Sequence, residues 1–187
     1  MLIFSTSVSL DGFVNDREGR FGWAFPGPDQ FRFHLDEVRG LGVHLSGRRL
    51  YETMLPWETD PALRDGPDED AFADVWSALP KVVFSRTLDR VEGNAQLARG
   101  SVADEVAAAL AATDRDVEIG GASLAGAALE LDLVDEVRLF RCPVLVGGGT
   151  PCFPALTRTV PLELVETRTF ASRVVLERYR RADEAGS

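Results

Sequence analysis

Two adjacent glycines, Gly120 and Gly121, close the strand-like run at 117–119 and precede the small and branched residues from Ala122 to Leu131. A glycine pair between a strand and a helix lets a ligand approach the backbone. The helix start beyond it, with Ala122, Ser123 and Leu124, offers unpaired N–H groups at a positive dipole end. Such a turn cradles a pyrophosphate, and plain turn chemistry is the alternative reading. Gly47-Arg48-Arg49 and Ser85-Arg86-Thr87 follow two other strand-like runs. Both therefore place arginines at the carboxyl ends of parallel strands, where α/β folds bind ligands. Guanidinium groups grip a phosphate bidentately, although either pair taken alone is equally read as solvated loop. Asp29 follows the apolar loop Trp23-Ala24-Phe25-Pro26 and starts a helix whose Phe31 or Phe33 would wall a pocket. Desolvation there would raise its pKa and suit it to deliver a proton; capping the helix is its other reading.

Other chemistries lack their residues. No Glu lies two positions after His34 or His44 and no C-x-x-C occurs, so a zinc deaminase site and metal binding have no support. There is no G-x-S-x-G, no G-x-G-x-x-G and no P-loop. Gly147-Gly148-Gly149 follows a strand-like run and is read as a bulge or tight loop. A formal net charge of -10 repels nucleic-acid phosphates and anionic lipid surfaces. No apolar run approaches a membrane span, and the first residues lack a basic region and cleavage site. Cys142 and Cys152 are not expected to form a disulfide. A cytoplasmic protein with a small-molecule substrate and neither nucleic-acid nor membrane partner is expected.

The elements that must position these residues follow from periodicity. Residues 2–8 read as a buried first strand and residues 19–28 as an aromatic loop. Phe31, Leu35 and Val38 mark one face of a helix that starts at Asp29 and ends at Gly40. Residues 42–46, 82–84 and 117–119 read as strands. Residues 58–70, with six acidic residues, two prolines and Gly66, read as a surface loop. Phe72, Val75, Trp76 and Leu79 define a helix stopped by Pro80, and Ser101 with Asp104 caps another. Residues 134–146 form a long apolar stretch, and residues 162–170 and 173–179 a terminal hairpin. Strands alternating with helices imply an α/β fold whose mostly parallel sheet is covered on both faces, with the hairpin as an antiparallel edge. One domain over residues 1–180 and a flexible tail at 181–187 are expected.

Taken in order, Ser9-Leu10-Asp11-Gly12-Phe13, Gly47-Arg48-Arg49-Leu50-Tyr51-Glu52, Lys81-Val82-Val83-Phe84-Ser85-Arg86, Ile119-Gly120-Gly121-Ala122 and Pro143-Val144-Leu145-Val146-Gly147-Gly148-Gly149 resemble one family across nearly the whole chain. It is the C-terminal reductase domain of bacterial bifunctional riboflavin-biosynthesis proteins and its stand-alone relatives, within the dihydrofolate reductase superfamily. The resemblance implies a three-layer dihydrofolate-reductase-like fold that binds NADPH across the sheet and delivers hydride to a heterocycle or a sugar-derived imine. It implies that Gly47, Arg48 and Arg49, with Ser85 and Arg86, hold the 2'-phosphate and pyrophosphate. The Gly120-Gly121 turn with Ala122, Ser123 and Leu124 would approach the pyrophosphate and nicotinamide ribose. Thr6, Ser7 and Val8 would lie near the carboxamide. The segment from Trp23 to Phe33 resembles the tryptophan, proline, acid and helix arrangement of dihydrofolate reductase, which makes Trp23 and Phe33 candidate substrate contacts. A ribosylaminouracil reductase is the leading expectation, with true dihydrofolate reductase and a non-catalytic nucleotide-binding protein as alternatives. The resembling domains commonly pair, so a homodimer is expected, with Val144, Leu145, Val146, Val174 and Leu176 as its apolar surface.

Overall fold

The computed structural model describes residues 1–182. Its strands are β1 (Leu2–Ser9), β2 (Phe13–Asn15), β3 (Leu41–Gly47), β4 (Lys81–Phe84), β5 (Ala95–Leu97), β6 (Asp116–Gly120), β7 (Glu136–Cys142), β8 (Thr150–Pro151), β9 (Leu162–Thr169) and β10 (Val175–Arg181). Its helices are α1 (Pro28–Arg39), α2 (Arg48–Met54), α3 (Pro56–Thr59), α4 (Pro67–Ala78), α5 (Val102–Ala111) and α6 (Ala122–Glu130). Eight strands form one sheet in the order β5-β4-β3-β6-β1-β7-β10-β9, parallel from β5 through β7 and antiparallel at the β10–β9 hairpin. The expected architecture is therefore the one observed.

Alternation along the strands separates two layers. Leu2, Phe4 and Val8 of β1 join Val117, Ile119, Val137 and Leu139 in a core under α5 and α6. On the other face Leu35 and Val38 of α1 pack with Phe72 and Trp76 of α4. Each such fully buried side chain contributes about 1.5 to 3 kcal/mol relative to exposure. The Ser101–Asp104 capping box forms in full at the start of α5.

Several local expectations are corrected. Arg48 and Arg49 begin α2 rather than lying in a loop, because Gly47 is its extended N-cap. Residues 58–70 are not an open acidic loop. Glu58 ends up almost fully buried, 3.0 Å from the equally buried Lys81 ammonium, which also donates to the carbonyls of Trp76 and Leu79. A buried ammonium requires such partners. Three of the other five acids of that segment, Asp68, Glu69 and Asp70, sit in the first turn of α4, where the helix dipole favours negative charge, and Asp60 accepts from the Ala62 N–H. Strand β10 runs on to Arg181, and Ala182 donates to the Pro161 carbonyl; residues 183–187 of the expected tail lie outside the described residues. Cys142 and Cys152 are both buried free thiols. Among the described residues no helix is long and apolar enough to cross a membrane.

Candidate functional site

The central strand carries the site. β1 pairs with β7 along its whole length, from Ile3 opposite Glu136 to Ser9 opposite Cys142. Its ladder with β6 stops at Phe4 opposite Ile119. Beyond that point the two strands part, and Ser5, Thr6 and Ser7 become partly exposed in the middle of the sheet. The chain builds the β3, β4 and β5 side first, returns to insert β6 beside β1, and only then crosses to β7. The gap therefore opens where the winding reverses, the position at which open α/β sheets bind ligands. Ser7 is partly exposed there, opposite Phe140 of β7. The Val8 side chain instead points into the core, leaving only its backbone to meet a ligand.

The two glycine turns meet at the mouth. Gly121 has φ +96°, and a β-carbon there would stand 3.7 Å from the Gly47 amide nitrogen. A β-carbon on Gly120 would collide with Leu50 of α2. Gly121 needs glycine for its backbone conformation, and a side chain at Gly120 would have to displace the end of Leu50. Gly121 caps α6, whose first intrahelical bond runs from Ala125 to the Gly121 carbonyl. Helix geometry leaves the N–H groups of Ala122, Ser123 and Leu124 without an intrahelical acceptor.

The arginines divide. Arg48 is held by Glu52 at 2.7 Å and donates to the Thr87 hydroxyl at 2.6 Å, which joins α2 to the loop after β4. In that loop Ser85 Oγ accepts from the N–H groups of Thr87 and Leu88, and exposed Arg86 has no ion pair among the described residues. Arg49, the next residue of the helix, turns away to a polar hollow of about 610 Å³ that it lines with Asn15, Arg17, Gly149 and Thr150. Gly147-Gly148-Gly149 forms the expected tight loop, all at positive φ, with Gly149 pressed on the Asn15 backbone. Sequence proximity had grouped Arg49 with Arg48; the roughly 100° step of a helix separates them.

On the α1 face, Ser5 and Ser7 lie in register with Arg138 and Phe140 of β7. Helix α1 runs over β7. Its His34 ring is 4.3 Å from the Phe140 ring, and its Glu37 carboxylate is 2.6 Å from Arg138. Leu50 covers Gly120 of β6 on the other side. Between these walls Ser5 and Ser7 are partly exposed, and this strip of the sheet is the candidate trough. Gln30, His34 and Glu37 recur at i, i+4 and i+7, a polar stripe beside the apolar one at Phe31, Leu35 and Val38. That spacing was available in the sequence as a second buried face, and the apolar stripe drew attention away from it.

Asp29 does not fill the role expected of it. Gly27 is the N-cap of α1, Asp29 is the second helical residue, and its carboxylate accepts from the Ala171 N–H at 2.8 Å. That bond holds its pKa below the ordinary carboxylate value rather than raising it. Asp29 ties the β9–β10 turn to α1. Phe33 packs edge-on against Phe140 and Phe170 in an aromatic cluster that Trp23 joins, while the Trp23 indole N–H is buried without a partner among the described residues.

Burial pushes the His34 imidazole down to about 4 from its ordinary 6.5, against the opposing pull of Glu118. As pH falls from 6.5 toward 4 the unfolded chain gains a proton that the folded chain refuses, so stability present above 6.5 is lost across that window. Glu37 acts with the opposite sign. Burial raises it to about 7 from 4.5, so its contribution is full below 4.5 and is lost as pH rises through 7. Relative to wild type, His34→Phe is therefore expected to gain about 2 kcal/mol between pH 7 and pH 5. Urea unfolding at both pH values measures this. An equal offset at the two would show that His34 does not titrate in this way.

The fold is that of the dihydrofolate-reductase-like class. Residues 1–176 match the RibD C-terminal domain, and the chain belongs to that family. It is 32% identical over 182 residues to the uncharacterized protein YyaP of Bacillus subtilis (strain 168), covering 93% of this chain and 91% of that protein. A crystal structure from Shewanella sp. PV-4, of a protein assigned to riboflavin biosynthesis, superposes with TM-score 0.78 at 23% identity over 97% of this chain and 99% of the other. Dihydrofolate reductase from Enterococcus faecalis, complexed with NADP(H), gives 0.65 at 17% over 98% and 97%. The deaminase/5-amino-6-(5-phosphoribosylamino)uracil reductase of Thermotoga maritima gives 0.66 at 18%, and there the match spans 97% of this chain but 56% of the longer protein.

Proposed function

We propose that this protein is a cytoplasmic NADPH-dependent reductase of a small heterocycle or ribosyl imine. The observation that carries this reading is the carboxyl edge of the sheet, where β1 parts from β6 beyond Phe4 and, on the other side of β6, the Gly47 backbone at the end of β3 adjoins Gly121 and the start of α6. A pyrophosphate fits this cradle because backbone donors and a helix N-terminus converge without a side chain in the way. Arg48 and Arg86 lie to one side of it, suited to a 2'-phosphate, and Arg49 lies over the polar hollow. Between Ser5 and Ser7 the backbone edge of β1 facing β6 has no ladder partner, which leaves donors and acceptors for a carboxamide. A reduced nicotinamide bound there supplies a hydride. The protein's part is to hold the trough beside it and to exclude bulk water. With Asp29 committed to Ala171, the proton that balances hydride transfer comes from water at the trough rather than from that acid.

The test is NADPH oxidation with 5-amino-6-(5-phosphoribosylamino)uracil, the substrate named for the Thermotoga relative, and with dihydrofolate. Turnover of the uracil is expected. Turnover of dihydrofolate alone would make the protein a dihydrofolate reductase. Tight NADPH binding without oxidation is the behaviour of a non-catalytic nucleotide-binding protein.

The same reading includes a homodimer, on a different surface from the one expected. Of the five residues expected there, Val174 and Leu176 are buried in the protomer's own aromatic core and Val144 packs against it, while Leu145 is exposed. Strand β9 is instead the free edge of the eight-stranded sheet and exposes Leu162, Leu164 and Val165. An uncovered apolar edge of that length invites another strand. Light scattering is expected to give twice the 20.4 kDa chain mass, and Leu164→Lys with Val165→Lys to return it to one. A monomeric wild type at micromolar concentration would defeat the dimer.

A further inference from the structure

The segment 85–94 between β4 and β5 carries Ser85 and Arg86 and contains no helix or strand. Among the described residues no backbone hydrogen bond joins residues 85–93 to one another, and the turn that Ser85 Oγ holds ends at Leu88. Side chains of α2 and α3 set the rest of its course. Arg48 donates to Thr87 at 2.6 Å, and Glu58 accepts from the Asn94 N–H at 2.9 Å. Between them the Tyr51 phenol takes both backbone groups of Glu92, accepting from its N–H at 2.7 Å and donating to its carbonyl at 3.2 Å. Arg48 and Tyr51 are three residues apart on α2, so one side of that helix grips the segment at two points. We propose that Tyr51 is a positioning residue for cofactor discrimination: through Glu92 it holds the segment 85–94 against α2 and so fixes Ser85 and Arg86 where a 2'-phosphate meets them.

This inference rests on the NADPH reading and assigns part of its selectivity to a residue that is itself buried. The three ties are not equivalent. Arg48 is half exposed, and a phosphate drawn to its guanidinium competes with Thr87 for the same donors. Glu58 is committed to the Lys81 ammonium and holds only the end of the segment, next to β5. The Tyr51 side chain is buried, and its hydroxyl has no other partner than Glu92 among the described residues. A phenylalanine ring fills the same space, so packing alone does not account for the phenol oxygen. Without that oxygen the N–H and carbonyl of Glu92 turn to water, and no polar tie remains between Leu88 and Asn94. Arg86 then sits on a looser stretch and loses more freedom when a phosphate orders it, which weakens the contact without removing the charge.

The test is fluorescence titration of NADPH and NADH into the whole chain and into Tyr51→Phe, which keeps the ring and removes only the hydroxyl. NADPH affinity is expected to fall about fivefold to tenfold, the size of effect that loss of such hydrogen bonds has, with NADH affinity unchanged. In an Arg86→Ala background Tyr51→Phe is expected to have no further effect on NADPH, because a residue that acts through Arg86 then has nothing left to position. Amide exchange of the wild type needs no variant. The Glu92 N–H is expected to exchange about tenfold or more slowly than those of Asp89 and Arg90, which have no partner among the described residues, and to lose this protection in Tyr51→Phe. An unchanged NADPH-to-NADH ratio in Tyr51→Phe, an equal effect with and without Arg86, or a wild-type Glu92 amide that exchanges as fast as that of Asp89 overturns the inference while the NADPH reading stands. A wild type that does not bind NADPH, or binds NADH as tightly, overturns that reading and the inference with it.

Discussion

Replacing Gly121 with valine is expected to lower NADPH affinity by about a hundredfold or more. The residue sits at φ +96°, a conformation that strains any side chain and a β-branched one most. Its β-carbon would stand 3.7 Å from the Gly47 amide, so the valine methyl groups would project into the space between the two turns. If the backbone relaxes to relieve this, the N–H groups of Ala122 and Ser123 move off the line they share with Gly47. Two charge-assisted hydrogen bonds at about 1.5 kcal/mol each amount to roughly a hundredfold in affinity. Gly121→Ala should fall between wild type and valine. Fluorescence titration of NADPH beside thermal unfolding separates the two parts of the effect, since strain lowers the melting temperature whether or not cofactor is present. A valine variant that folds and binds NADPH within threefold of wild type would rule out the Gly47–Gly121 cradle as the pyrophosphate site.

Loss of Arg48 and Arg86 together is expected to cost about ten- to a hundredfold in NADPH affinity and almost nothing in NADH affinity. The two cofactors differ only in the 2'-phosphate, so the ratio isolates the contact. Arg48 is half exposed and already paired with Glu52 and Thr87, which fixes its direction but screens its charge. Arg86 is exposed and unpaired among the described residues, and should account for more of the loss. Because both are open to solvent, the preference for NADPH should shrink as salt rises from about 0.05 to 0.5 M, where the screening length falls severalfold. Arg49→Ala serves as the internal comparison. It lines the separate hollow with Asn15 and Gly149, so its loss should weaken both cofactors alike or neither. Equal affinity of wild type for NADH and NADPH would remove the 2'-phosphate assignment altogether.

The two halves of the site were unequally legible. Gly47, Ser85, Gly120 and Gly121 are visible locally as turns after β-forming runs, and it is their recurrence at three strand ends, rather than any one of them, that singles them out from plain turns. Asp29 was misread because an acid beside a helix start is ambiguous. Whether it caps, donates a proton or ties down a distant turn depends on what lies across from it, and Ala171 is 142 residues away in the chain. Gln30 and His34 were passed over for a related reason, as polar residues on a helix are by default taken to face water.

Periodicity, turn residues and glycine placement are local properties, and from them the sequence by itself determined the alternation of strands and helices, the antiparallel hairpin and the family resemblance. The parting of β1 from β6 after Phe4, the separation of Arg49 from Arg48 and the burial of Glu58 against Lys81 were decided only by the tertiary structure. So was the partial exposure of Ser5 and Ser7 in the middle of the sheet. Each of these depends on which strand becomes whose neighbour, and strand order is set by how the whole chain shares out its apolar surface between two layers, a quantity that no window of sequence contains.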